Sequence, residues 1–213
     1  MEATPTTTAL ANPALHDNFV LRQRWSMFVN RYEFSVPGPE GTPELPVCFV
    51  QQKRFKFKED IRFYTDKTKT VEVMRIKARQ RFDPRARYDI TDASGYKIGE
   101  IQKVFGASLL RSTYAIFDAS GTEVARASER SLAVALFRRL VDLVPFIGEF
   151  SDWLPIPYHF DIKRGDTLLG THVRQAFKFR DTYTIDMSGD PERTIDRRLI
   201  LAIAVGMDAL QAR

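Results

Sequence analysis

Residues 194 to 210, TIDRRLILAIAVGMDAL, constrain the fold more than any other stretch, because from Leu199 to Met207 nine consecutive residues carry no polar side chain. The run is less than half of the roughly twenty residues that cross a bilayer. It does not read as a membrane span. A helix on a protein surface shows a polar face, and one that is apolar all round has to be surrounded by protein. Asp190 ahead of Pro191 reads as a helix start, with proline tolerated in the first turn. A helix is therefore expected from about Pro191 to Gln211, with Ile200, Ala204 and Met207 almost inaccessible to solvent.

The remainder of the chain supplies strands to do the surrounding. YDITDASGYKIGEI from Tyr88 and YAIFDASGTEVARA from Tyr114 share six of fourteen positions. Both read as hairpins: an aspartate opening a type I turn accepts hydrogen bonds from its own backbone, and a glycine at the fourth position tolerates positive φ. YHFDIKRGDTLLGTHV repeats the pattern from Tyr158 with a turn near Gly165, and IRFYTDKTKTVEVMRI adds a hairpin around Asp66. With NFVLRQR, RYEFSV, VCFVQQK and DTYTIDM the total reaches about a dozen short strands, at the spacing of an all-β barrel or sandwich. A barrel has a dry lumen lined by inward side chains. The apolar helix and the strands explain each other.

At 213 residues, 44% apolar and 28% charged, the chain has room for one soluble domain with a real core. The opening MEATPTTTALANPAL has no sustained period, so residues 1–17 are expected to form a flexible tail and 18–213 a single barrel domain. One stretch breaks the strand rhythm: SERSLAVALFRRLVDLVPFIGEFSDWLPIP, residues 128–157, is helical in its middle by length and composition, with Pro145 ending the helix. The single cysteine, Cys48, excludes an internal disulfide, and the N-terminus lacks the blocks of a secretory signal, so a cytoplasmic location is expected.

The order of parts carries a resemblance: VLRQRWSMFVNRYEF near the start, the paired DASG hairpins, VRQAFKFRDTYTIDM late, then the apolar helix. Over roughly residues 18 to 211 the chain resembles the LURP-one-related family, which shares the tubby C-terminal-like fold with phospholipid scramblases. The resemblance implies a twelve-stranded antiparallel β-barrel wrapped around a hydrophobic C-terminal helix. It also implies a link to lipid, since the better-known relatives bind phosphoinositides or are associated with lipid movement. The chain departs from the family pattern in the insertion between Ser128 and Pro157. It also lacks an acidic calcium loop of the kind proposed for scramblases, and DITDASGYK reads as a hairpin turn.

Nothing points to catalysis. The three histidines, His16, His159 and His172, form no pair with helical spacing suited to a metal. There is no G-x-S-x-G elbow, no P-loop and no G-x-G-x-x-G after a strand. Asp66, Asp92 and Asp118 fall at turns, and Cys48 in PVCFV has the neighbours of a core residue. No catalytic residue, metal or cofactor is expected.

The charge distribution is more informative. From Lys53 to Arg87 there are 13 Lys or Arg against 5 Asp or Glu, a balance of +8 that leaves −3 for the rest of a chain with net charge +5. In MRIKARQRF, Arg75, Lys77, Arg79 and Arg81 alternate with Ile76, Ala78, Gln80 and Phe82, so an extended strand would array four cations on one face. Arg54, Lys56 and Lys58 alternate likewise with Phe55 and Phe57. One reading is a solvated basic exterior that protects a sheet from aggregation. The other is an anionic phospholipid surface, to which each cation contributes on the order of 1 kcal/mol. Nucleic acid is not expected, because no reader motif is present.

The insertion also has two readings. Arg138, Arg139, Phe146, Ile147, Phe150 and Trp153 suit a helix that caps a barrel mouth or completes a homodimer or partner face through residues 131–153. The sharper reading is an interfacial segment with Trp153 at headgroup level and the arginines on anionic lipid. The function expected is non-enzymatic binding to an anionic membrane surface, cytoplasmic and peripheral on the inner membrane face. The alternatives are a protein-interaction scaffold built on the insertion, and scramblase-like movement of lipid.

Overall fold

A computed structural model describes residues 10–25, 29–40, 42–53, 60–79, 87–104, 112–130, 159–175 and 181–211. Among them twelve antiparallel strands close into one barrel. The strands are β1 (Asn18–Trp25), β2 (Val29–Val36), β3 (Leu45–Lys53), β4 (Asp60–Tyr64), β5 (Glu72–Ala78) and β6 (Arg87–Asp92) in the first half. The second half comprises β7 (Lys97–Val104), β8 (Thr113–Asp118), β9 (Glu123–Glu129), β10 (His159–Arg164), β11 (Thr167–Gln175) and β12 (Asp181–Asp186). Every strand pairs with its neighbours in sequence, and a ladder from Asn18 opposite Asp186 to Gln23 opposite Asp181 closes β1 on β12. Among the described residues no sheet edge is left open to pair with another chain.

The DASG turns form as their residues dictate. Asp92 Oδ1 accepts the N–H groups of Ser94 and Tyr96 at 2.9 Å each, and Asp118 Oδ1 accepts that of Thr122 at 2.9 Å. Gly95 and Gly121 both sit at φ of 86°, where a Cβ would be strained.

Helix α1 (Arg197–Gln211) follows β12 and fills the lumen. Ile200 and Met207 are 0% exposed and Ala204 3%, as an apolar helix enclosed by strands requires. The inward positions of the strands supply the opposite wall, among them Phe19, Tyr32, Phe63, Ile90, Ile116 and Phe160. One strand comes so close that only glycine fits: a Cβ on Gly99 would lie 2.3 Å from the Phe117 carbonyl oxygen and 2.8 Å from Leu199 Cδ2. No described helix is long and apolar enough to cross a membrane.

Two boundaries differ from expectation. The helix begins at Arg197 and not near Pro191, because Asp190 is used differently. Its carboxylate, 3% exposed, accepts from the Thr194 N–H and hydroxyl, the Ile195 N–H and the Arg197 guanidinium, folding residues 190–195 into a turn anchored on that buried group. Arg193 within it has φ of 52°, outside helical geometry. Asp196 caps the helix instead, accepting the Arg198 N–H at 2.9 Å. Second, the end of the expected tail packs on the barrel. The Ala11 N–H reaches the Pro46 carbonyl at 2.8 Å, Pro13–Leu15 form a 3-10 turn, and Asp17 pairs with Arg193 and Arg197.

Candidate functional site

The basic stripe divides on folding. β5 ends at Ala78, so the strand itself carries Arg75 and Lys77, while Arg79 lies just beyond, its N–H bonded to the Arg87 carbonyl at 3.0 Å. Met74 and Ile76 point into the core, and the cations face outwards, as the alternation requires. Carboxylates from β5 itself and from neighbouring strands meet two of these three. Arg75 binds Glu72 at 2.9 Å and approaches Asp60 at 3.6 Å. Arg79 holds Asp89 at 2.7 Å and Glu100 at 2.5 Å. Lys77, exposed between Asp60 and Asp89 in the ladder, makes no ion pair among the described residues.

Glu100 is the centre of this wall. It faces outwards from β7 yet is 2% exposed, because Arg79, Lys97 and Arg87 close over it, the last at 3.0 Å. Burial opposes its charge, but hydrogen bonds from Lys97, Arg79 and Arg87 outweigh that and hold its carboxyl below the usual range. Arg87 also lies over the Phe117 ring, 4.3 Å from its centroid. Asp60, Glu72, Asp89 and Glu100 were missed by sequence reasoning. Their relevance depends on strand register, and only the outward parity of Asp89 and Glu100 signals it. The wall is a ladder of alternating charge and no bare field of cations.

The remaining groups are structural in setting. Burial pushes the Cys48 thiol up, which keeps it protonated in the core. His172 is 3% exposed and lies against Tyr183 with ring centroids 5.0 Å apart. Burial first, and the His159 charge second, lower it to about 3, so its imidazole is neutral. Among the described residues no group of three His, Cys, Asp or Glu is placed to hold a metal.

Strand direction sorts the connections into two sets. At the mouth where α1 begins, the links 37–44, 65–71, 93–96, 119–122, 165–166 and 187–196 hold 3 Lys or Arg against 7 Asp or Glu, with Tyr96 as their one aromatic residue. At the opposite mouth, the links 26–28, 54–59, 79–86, 105–112, 130–158 and 176–180 hold 12 Lys or Arg against 5 Asp or Glu, and 12 aromatic residues. By sequence the two sets of links carry −4 and +7. Arg54, Lys56, Lys58, Arg81, Arg138, Arg139, Phe146, Ile147, Phe150 and Trp153 all belong to links of the second mouth and lie outside the described residues. The insertion leaves β9 and returns on its direct neighbour β10, where the Arg130 N–H meets the His159 carbonyl at 2.9 Å and Arg130 pairs with Asp161 at 2.7 Å.

No curated protein and no solved structure matches the chain. A family model does: that of the LURP-one-related proteins matches residues 47–208, from β3 through nearly all of α1. With most of its length covered by that model and its strands closed around the terminal helix, the chain belongs to the LURP-one-related family.

Proposed function

We propose that this protein is a non-enzymatic binding protein that docks peripherally on an anionic phospholipid surface, at the cytoplasmic face of a membrane, with the positive mouth turned towards the lipid. The observation that carries this reading is the polarity of the barrel: +7 and 12 aromatic residues in the links of one mouth, −4 and a single aromatic in those of the other. A molecule so charged orients itself before contact with a negative surface. Trp153 and Tyr158 are of the residue types that favour the headgroup level, the phenylalanines can enter the apolar side of the interface, and each cation near the surface contributes on the order of 1 kcal/mol. The outer wall of β5 adds little, since Arg75 and Arg79 already have carboxylate partners and Lys77 alone remains.

Co-sedimentation with phosphatidylcholine vesicles, with and without phosphatidylserine, tests the reading. The parent is expected to bind only the acidic vesicles, and less as salt rises. Arg54→Gln, Lys56→Gln and Lys58→Gln together should weaken binding about a hundredfold at low salt, from roughly 1 kcal/mol per cation. Lys77→Gln should change it less than about fivefold. Equal binding to both vesicles, or a triple variant as tight as the parent, would overturn the proposal.

A further inference from the structure

We infer that the mouth where α1 begins holds a site for one amphipathic acid, a long-chain carboxylate bound as a monomer. A cavity of about 560 Å³ lies there between the N-terminal segment, the ends of β3 and β5, and the start of α1. That volume falls within the roughly 300–1,000 Å³ of small-molecule sites. Its floor is apolar, formed by Val47, Val73, Met74 and Leu201. Leu10, 43% exposed, extends the apolar surface to the rim.

The polar end fits an acid. Arg193, Arg197 and Arg198 line the cavity, and among the described residues Asp196 is the only carboxylate that does. Arg198 gives Nε and Nη2 to Asp196, and Arg193 gives Nε and Nη2 to Asp17. Each keeps Nη1 for another acceptor. Arg197 is 1% exposed, and its buried Nε–H has no partner. These donors stand at the N-terminus of a fifteen-residue helix, whose dipole favours negative charge. An apolar floor and guanidinium N–H groups at one end match a chain with an acidic head. A cationic head leaves the donors unmet, and a neutral hydroxyl accepts from one of them without the added strength of opposite charge.

The site is at the opposite mouth from the proposed membrane contact, so the two readings stand or fall separately. The probe is dodecanoate, below its micellar concentration, displacing a fluorescent fatty acid from the full chain; dodecanol and dodecyltrimethylammonium are the comparison ligands. Dodecanoate is expected to displace the fluorophore at submillimolar concentration, and the other two to do so at least about tenfold less well, as loss of a charge-assisted hydrogen bond implies. Arg198→Gln should weaken dodecanoate about tenfold. Val73→Trp, which fills the floor, should abolish binding. Should that variant fail to fold, Ala14→Trp on the exposed side of the same cavity serves in its place. Absence of displacement by dodecanoate, displacement by dodecanol just as good, or a cavity-filling variant that binds like the parent would each overturn the assignment.

Discussion

Arg197→Met isolates the contact that seats the central helix. The guanidinium donates from Nη1 to Asp190 Oδ2 at 2.8 Å and the Ile195 carbonyl at 3.2 Å. From Nη2 it donates to Asp17 Oδ1 and the Asp190 carbonyl, both at 2.8 Å. Methionine keeps much of the stem and removes every donor. Asp190, 3% exposed, would retain its Thr194 and Ile195 donors but lose its cation. Removing one partner of a buried ion pair costs about 3–5 kcal/mol. The surviving donors place this case near the lower end, about 3 kcal/mol. At roughly 2–4 °C per kcal/mol for a chain of this size, Tm should fall by about 6–12 °C. Adding Asp190→Asn removes the unpaired charge but turns an amide NH2 towards either the Thr194 or the Ile195 N–H, so the double variant should melt close to Arg197→Met and not near the parent. Thermal unfolding followed by circular dichroism reads both. An Arg197→Met protein within about 2 °C of the parent, or a double variant as stable as the parent, would refute the reasoning.

Two further outcomes follow from the barrel wall and lumen. His172 is lowered from 6.5 to about 3, chiefly by burial, so the unfolded chain takes up a proton below 6.5 that the folded one refuses. Stability should fall through that window by up to about 1.4 kcal/mol per pH unit, and His172→Phe should flatten the pH dependence of the urea midpoint; an unchanged slope would place the titrating group elsewhere. Arg79→Gln takes one of three cations from the buried Glu100 and should cost about 1–3 kcal/mol, while the unpaired Lys77→Gln stays within about 0.5 kcal/mol. Equal shifts in denaturation midpoint would deny the charge ladder a structural role.

What the sequence reveals and what it conceals divide along the range of the interactions. The DASG hairpins are legible because aspartate and glycine set the turn within four residues. Enclosure of α1 is legible because nine residues without a polar side chain admit few other environments. The helix start is not: Asp190 looks like an N-cap when read alone, and its use as the buried anchor of a turn depends on Arg197 returning to it from seven positions away. The stripe at Arg75 to Arg81 shows its outward parity but not its neutralisation, since Asp89 and Glu100 approach only through the pairing of β5, β6 and β7. The polarity of the two mouths is written in the composition of the links, yet it cannot be summed until the strands assign each link to an end.

The order of elements along the chain also dictates how the molecule must be made. The ladder that closes the barrel joins β1 to β12, and the helix that fills it follows all twelve strands. During translation at about 5–20 residues per second, the nascent strands therefore present their inward Phe, Ile and Tyr faces for on the order of ten seconds or more, with no core to cover them. Neither end of the sheet has its final neighbour in that interval. A chain released before Asp181 lacks β12 and is an open, apolar meander, and no smaller version of the same fold. The growing chain is thus exposed to aggregation until β12 and α1 have been made.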